Sequence, residues 1–313
     1  MTAIASLKLE KNINRAISHV KPAITSTKYV NTPTPYPGYM RIGAHVRQDE
    51  DPIGYGETLG ADVIQMFLTD PQKWEKPPTH PRTDEIRNSP IDVVVHSSYV
   101  INVASLNNRL RMPSRNAVAQ QAQAAADIGA FGLVVHGGHV RDGEDVNAGI
   151  VNWRKLFERQ ADKGGFPVPI LIENTAGGDF AMARHFDAID RLWQEVGDFG
   201  AGFCLDTCHA WAGGEELVGV VERIKAITGR IDLVHLNNSR DEFNSARDRH
   251  ANLADGTIDA ELLAEVVRTA DAPVVLETPA EGAGRGPRVP AGNRRLVAQP
   301  AGQPAVPLLA DRI

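Results

Sequence analysis

The chain has 313 residues, of which 42% are hydrophobic and 23% are charged, and these ordinary globular values exclude wholesale disorder and a collagen-like chain. No apolar stretch of the sequence approaches the roughly 18 residues that a membrane helix needs. Two cysteines, Cys204 and Cys208, exclude a disulfide scaffold and are typical of a reducing compartment. The formal net charge of −6 gives no general electrostatic attraction to nucleic acid.

The first 39 residues differ in composition from those that follow. They combine scattered lysines with a Thr/Pro cluster at 32–38, and they lack the apolar centre of a secretory signal. We therefore expect residues 1–39 to be a disordered or over-extended leader, with Met40 as a plausible initiator.

Eight short runs rich in β-formers follow, with helical segments between them. The runs are 41–46, 62–68, 92–96, 131–136, 168–173, 200–206, 231–236 and 273–277. From the end of the first to the end of the last are 231 residues over seven steps, or 33 residues per step, close to the roughly 30 of a βα unit. Continuous Val/Ile/Leu runs are typical of strands buried on both faces. The pattern predicts an α/β fold, a single (β/α)₈ TIM barrel over residues 40–282.

Four of the intervening segments are predicted to be helices, 113–128, 181–196, 215–227 and 258–270, and the last three of them carry helical apolar spacing. The first of these is rich in Ala and Gln and has Pro113 near its predicted start.

Each run carries a polar residue at or near its end. In chain order these residues are His45, Gln65, His96, His136, Glu173, Asp206, His235 and Glu277. The carboxyl ends of barrel strands converge on one face, where active sites of this fold lie. Unpaired buried carboxylates and imidazoles are costly to desolvate, so metal ions are the expected common partner.

Two local spacings add ligand-type residues to this rim. Asp206 and His209 lie three residues apart across a strand end, and Asp248 and His250 are separated by one residue, so that both project to one side of an extended chain. A ligand set of His, Asp and Glu favours zinc or manganese over calcium. Cys204 and Cys208 have no second cysteine pair, and we interpret them as buried apolar fillers.

After Gly282 the composition becomes rich in Gly, Pro and Arg. Proline repeatedly blocks both helical and strand periods there, which predicts a disordered tail over 283–313.

Six motifs in this order resemble the endonuclease IV family of apurinic/apyrimidinic endonucleases. The motifs are GAHV (43–46), HSSYVIN (96–102), VHGGH (135–139), IENTAGG (172–178), LDTCH (205–209) and DRH (248–250). The resemblance covers about residues 40–282 and implies a TIM barrel of the xylose-isomerase type with three zinc ions. The metal ligands that it implies are His96, His136 and Glu173 for the first ion; Glu173, Asp206, His235 and Glu277 for the second; and His209, Asp248 and His250 for the third.

The implied reaction is cleavage of the DNA phosphodiester on the 5′ side of an abasic site, which leaves a 3′-OH and a 5′-deoxyribose phosphate. Glu173 would bridge two ions, and a metal-bound hydroxide would be the nucleophile. Manganese could occupy one or more of the sites. Three Zn²⁺ ions would cancel the formal charge of −6. The implied partner is double-stranded DNA with abasic sites, and we expect a monomer in the cytoplasm.

The resemblance also implies residues that contact DNA. Tyr99 and Val100 match positions that wedge into the duplex. Gln72 stands where some relatives have a longer basic side chain, with Lys73 and Trp74 adjacent. Basic residues in or near the loops after the second and third runs are candidates for phosphate contacts: Lys73, Lys76, Arg109, Arg111 and Arg115.

One departure from the family lies after Glu277, where a last helix usually closes the barrel and this chain has its Gly/Pro-rich tail instead. We therefore expect that helix to be missing or altered. Two other functions stay open on the sequence: a metal-dependent sugar isomerase or epimerase on the same barrel, and a catalytically impaired protein that binds abasic sites.

Overall fold

Eight parallel strands, one from each predicted run, close into a barrel in which each strand pairs with the next barrel strand in the sequence and the last pairs with the first. The computed structural model describes residues 40–47, 51–178 and 180–278. The barrel strands are β1 (Ile42–His45), β2 (Val63–Met66), β3 (Asp92–His96), β4 (Leu133–His136), β5 (Ile170–Glu173), β6 (Gly202–Asp206), β7 (Leu233–His235) and β10 (Val274–Leu276). The predicted (β/α)₈ barrel is confirmed.

The register between neighbouring strands brings the polar run ends side by side. His45 pairs with Gln65, His136 with Glu173, and Asp206 with His235. Adjacent strands are about 4.8 Å apart, so each pairing brings two side chains within reach of a common partner. The barrel interior beneath them is filled by one apolar cluster, which consists of Val63, Val94, Val134, Leu171, Cys204, Leu233 and Val275.

The helices of the described residues surround the strands. They are α1 (Pro52–Leu59), α2 (Thr83–Asn88), α3 (Asn108–Asp127), α4 (Val146–Ala161), α5 (Phe186–Val196), α6 (Thr207–Gly213), α7 (Val220–Thr228) and α8 (Ala260–Ala270), with a 3₁₀ turn at Gly197–Phe199. In α8 the buried positions Leu263, Val266, Val267 and Ala270 follow the i, i+3, i+4, i+7 spacing of one helical face.

The predicted start of α3 was wrong by five residues. Asn107 accepts a hydrogen bond from the Arg109 backbone N–H and so caps the helix there, which places Pro113 inside it. A polar cap outweighed the proline that the sequence suggested as the helix start.

A small two-stranded ladder lies outside the barrel. It is formed by β8 (Asn238–Ser239) and β9 (His250–Ala251), which pair antiparallel. The loop between them, residues 240–249, is called here the hairpin loop. Asn244 and Ala246 in this loop have positive φ angles of 58° and 56°.

Among the described residues, no helix combines the length and apolarity that crossing a membrane requires. The predicted leader (1–39), the tail (283–313) and the closing helix of the barrel lie outside the described residues.

Candidate metal centre

The carboxylate of Glu173 lies at the centre of a group of histidines at the carboxyl end of the barrel. Its Oε2 is 3.1 Å from His96 Nε2 and 3.2 Å from His136 Nε2. Its Oε1 is 2.9 Å from His235 Nδ1 and 3.3 Å from His209 Nδ1. Glu173 is completely buried. One carboxylate therefore touches imidazoles from four different segments of the chain.

Among the described residues, three clusters made only of His, Asp and Glu ligand atoms are arranged around this carboxylate, and within each cluster the atoms lie within 4.8 Å of one another. The first cluster is His96, His136 and Glu173; the second is Glu173, Asp206, His235 and Glu277; the third is His209, Asp248 and His250. All nine residues that the sequence suggested as ligands thus come together at one rim, and each of the three predicted groups is a spatial cluster.

The third cluster is assembled by elements outside the barrel strands. Asp206 ends β6 and caps α6, since its side chain accepts a hydrogen bond of 2.6 Å from the His209 backbone N–H. This cap fixes His209 in the first turn of α6. Asp248 and His250 come from the other side, from the hairpin loop and β9. The Asp248 Oδ1 atom is 3.1 Å from His209 Nε2 and 3.2 Å from His250 Nε2.

Ionic contacts hold the hairpin loop in place. Asp241 is buried and its carboxylate binds Arg249, with Arg249 Nε donating at 2.7 Å to Oδ2. Arg247 Nη1 is 3.4 Å from the same carboxylate. These two arginines flank Asp248 in the sequence, so the Asp241 carboxylate restrains the segment that carries it.

Backbone carbonyls orient three of the histidines. Nδ1 of His96 lies 2.8 Å from Ser97 O, Nδ1 of His209 lies 2.9 Å from Asn174 O, and Nδ1 of His250 lies 3.4 Å from Glu277 O. Because a carbonyl oxygen only accepts, each Nδ1 is the donor of its ring. The Nε2 atoms of these rings are thereby left to face the carboxylates, as ligand nitrogens do when the second nitrogen is held.

The electrostatics of the centre favour a charged Glu173 carboxylate and raise the pKa values of His209, His235 and His250. Burial by itself would raise the pKa of Glu173, but His235 and His136 lower that pKa well below its usual range. Burial likewise opposes a charge on His250, but Asp206, Asp248 and Glu277 raise its pKa to about 9. Protons on the rings occupy the position that a cation would take, so binding of a metal ion would release them.

The two cysteines lie close to the clusters, since Cys204 is grouped with Glu173 and His235 and Cys208 with Asp206 and His250. Both are buried and free of disulfides. Burial raises the pKa of Cys204 to about 12 and that of Cys208 to about 12. Since a thiolate is the form that binds metal, the carboxylates and imidazoles remain the stronger ligands.

A cavity of about 530 Å³ opens next to the centre. It is lined by Tyr99, His136, Arg240, Asp248, Arg249, His250 and Glu277. Arg240 is exposed and its Nε donates to the backbone oxygen of His250 at 2.9 Å. The sequence interpretation missed Arg240 and Arg249 as site residues, because their place beside the clusters depends on how the hairpin loop folds back.

Tyr99 forms one wall of this cavity. The residue is 52% exposed, and its ring stacks on His136 with centroids 5.7 Å apart. Its backbone N–H donates to Pro71 O at 2.8 Å, which joins the loop after β3 to the loop after β2. Gln72, Lys73 and Trp74 follow in that second loop and are exposed, and Val100 is half-buried. The residues predicted to contact DNA therefore lie on two linked loops at the rim, and both predicted wedge residues lie on the loop after β3.

The suggested phosphate contacts near the start of α3 differ in their surroundings. Arg109 is exposed, whereas Arg111 binds the backbone oxygens of Ser105 and Leu106. Arg115 is buried and donates to Asn152 O, and burial lowers its pKa to about 10. The interpretation of Arg115 as a rim residue was wrong, because it packs between α3 and α4.

Comparison with known proteins agrees with this fold. The family model of the xylose isomerase-like TIM barrel matches residues 55–299. A protein named "Probable endonuclease 4" from Mycobacterium leprae is 55% identical over 244 residues, which cover 78% of this chain and 94% of the relative. A protein of the same name from Mycobacterium marinum is 53% identical over 244 residues, with the same coverage.

Comparison with solved structures identifies the same fold. The crystal structure of endonuclease IV from Thermus thermophilus matches with a TM-score of 0.69 and 28% identity, covering 82% of this chain and 97% of that one. A D-tagatose 3-epimerase-like protein matches with a TM-score of 0.62 at 17% identity, over 76% of this chain and 91% of that one, and shares the fold. The chain is thus a xylose isomerase-like TIM barrel. Within that class it belongs to the endonuclease IV family, whose members are hydrolases of the nuclease type.

Proposed function

We propose that the protein is a zinc-dependent DNA-repair endonuclease that cleaves the phosphodiester 5′ to abasic sites in double-stranded DNA and leaves a 3′-OH and a 5′-deoxyribose phosphate. The observation that carries the proposal is the shared Glu173 carboxylate, around which three ligand clusters lie at the edge of a cavity. The family of the chain supports the same reaction class.

The residues of the clusters fit metal ions. The Nε2 atoms of His209 and His250 are buried and have no hydrogen-bond partner among the described residues, although both face Asp248. Five histidines, two aspartates and two glutamates form a donor set typical of zinc. One ion would be held by His96, His136 and Glu173. A second would be held by Glu173, Asp206, His235 and Glu277, and a third by His209, Asp248 and His250. When bound, zinc ions supply Lewis-acid activation of water near neutral pH and neutralise charge on a phosphate.

The surrounding residues would place the substrate. Arg240 and Arg249 bring two cations to the cavity wall, where a phosphate of the DNA backbone would be bound. The gap in the duplex left by the missing base would be occupied by Tyr99 and Val100, together with Gln72, Lys73 and Trp74. An abasic nucleotide has no base to stack and is turned out of the helix at lower cost than a normal one. Arg109 would contact a more distant phosphate, and Arg111 would support the loop that precedes it.

The test of the proposal is a nicking assay with a duplex that contains one tetrahydrofuran abasic analogue, together with a metal count of the same protein. We expect incision on the 5′ side only, which is lost when a chelator is added and restored by zinc. Elemental analysis by mass spectrometry should give about three ions per chain. If the protein binds three ions but does not nick the duplex, the proposed cleavage is wrong and binding of abasic sites is the function that remains. Incision that continues in full after complete metal removal would contradict the proposal.

The salt dependence of DNA binding tests the role of Arg240. In the Arg240→Gln variant, the slope of the logarithm of the association constant against the logarithm of salt concentration should fall by about 0.9, the value for one phosphate contact. Arg230→Gln is the matched control, since Arg230 precedes β7 at the opposite end of the barrel and pairs with Asp232. Equal slopes for the Arg240 variant and the unchanged protein would remove Arg240 from the DNA interface.

A sugar isomerase or epimerase is the second candidate, and it rests on the shared fold. Such an enzyme usually needs one or two ions, so that His209, Asp248 and His250 would have no role. The metal count distinguishes the two functions.

A further inference from the structure

Gln65 is a buried polar residue of the centre whose side chain contacts members of the second cluster. It is completely buried in β2, which is separated from the β7 strand of His235 by β1 and β10. Its Oε1 lies 2.7 Å from His235 Nε2, and its Nε2 lies 2.6 Å from Glu277 Oε1 and 3.0 Å from His45 Nδ1.

The hydrogen-bond chemistry fixes the orientation of this amide. The Glu277 carboxylate only accepts, so the group of Gln65 that faces it must be the NH₂ group. The amide oxygen then faces His235, and the Nε2 of that ring must carry a proton. The Nδ1 of His235 faces Glu173 Oε1 at 2.9 Å and Glu277 Oε2 at 3.3 Å. In the metal-free protein this nitrogen donates its proton to a carboxylate, and a metal ion that displaces the proton would bind there.

His235 thereby differs from the other oriented histidines. His96, His209 and His250 are held through Nδ1 by backbone carbonyls and present Nε2 to the carboxylates. His235 is held through Nε2 by a side chain and presents Nδ1. The same side chain holds Glu277 by one oxygen, which directs the other oxygen toward His235 and Asn237.

We propose that Gln65 is a positioning residue of the second cluster: its amide selects Nδ1 of His235 as the metal-binding nitrogen and fixes Glu277 beside it. This proposal rests on the proposed function, because it assigns Gln65 a role toward the ion that the second cluster would hold. Outer partners of this kind typically change metal affinity by about 10–100-fold.

The first measurement is zinc affinity in Gln65→Met, which keeps the length of the side chain and removes both polar groups. We expect one of about three ions to bind 10–100-fold more weakly, with the loss confined to the second cluster. Long-range ¹H–¹⁵N spectra of the imidazoles locate the loss, because His96, His235 and His250 report on the first, second and third clusters. Gln121→Met is the matched control, since Gln121 is also buried but bonds Ser98 instead of a ligand residue.

The second measurement needs no metal. In the metal-free protein the Nε2 proton of His235 should exchange slowly with water, because it is bound to Gln65. It should exchange faster in Gln65→Met and remain slow in Gln65→Glu, whose carboxylate still accepts it but cannot donate to Glu277. Zinc affinity of the Glu variant should nevertheless fall, since a second carboxylate would face Glu277.

Unchanged zinc affinity in Gln65→Met would overturn the inference, and so would an equal weakening of all three ions in the Gln65 and Gln121 variants. Both results would leave the proposed nuclease intact, because the unchanged protein would still bind three ions and nick abasic DNA. Failure of the unchanged protein to bind zinc would instead overturn the proposed function and this role together.

Discussion

Glu173→Gln should abolish cleavage of abasic DNA while the barrel stays folded. The amide keeps the shape of the side chain but is a poor ligand for two ions at once, and Glu173 touches four histidines through its two oxygens. If the change removes about 4 kcal/mol of stabilisation of the transition state, the rate falls by a factor of about 1000. Single-turnover incision of a tetrahydrofuran duplex measures this factor, and thermal melting monitors the fold.

Glu215→Gln provides the control for that experiment. Glu215 is also a largely buried glutamate beside a histidine, with Oε1 3.2 Å from His185 Nδ1, but it lies outside the three clusters. Its variant should cleave at the normal rate. Near-normal turnover in the Glu173 variant with full metal content would refute the bridging role of Glu173.

Tyr99→Ala should weaken binding to abasic DNA more than it slows cleavage at saturating DNA. The ring is half exposed at the cavity edge, and stacking on a base is worth about 1–3 kcal/mol, or about 5- to 150-fold in affinity. Burial raises the pKa of Tyr99, and Glu277 raises it further, so the phenol stays neutral and does not repel phosphates at working pH. Binding titrations and single-turnover rates on the same duplex separate the two effects.

Tyr99→Phe is the matched variant, because it keeps the ring and removes only the hydroxyl. It should bind nearly as tightly as the unchanged protein. If Tyr99→Ala leaves the affinity unchanged and slows only the chemical step, Tyr99 is not a wedge, and its stacking on His136 would instead support the first cluster.

The barrel and the location of the nine ligand-type residues were accessible from sequence for a physical reason. Strands buried on both faces leave continuous apolar runs, and polar residues at their ends are costly unless they have a common partner. Glu173 and His235 end such runs, and the parallel register brings them to one rim. The motifs then supplied the grouping into three clusters.

Other features depend on contacts that leave no local pattern. The start of α3 is set by the Asn107 cap, and α4 was not among the predicted helices although Trp153 and Leu156 on it are buried. The sequence does not distinguish Arg115 from an exposed cation near the rim, because its burial depends on the packing of α4 against α3. Gln65 lies near the end of an apolar run, but its proposed role depends on His235, which is 170 residues away in the chain.

The separation of these residues along the chain decides the order of folding and metal binding. Glu173 meets His96 across 77 residues and His235 across 62. In a zinc finger the ligands lie close in sequence, and the ion can organise an otherwise unfolded chain. Here no short segment holds a complete cluster, and long loops must close before the ligands meet. We therefore expect the barrel to be stabilised by its own apolar core, so that a metal ion would bind to a site that has already formed.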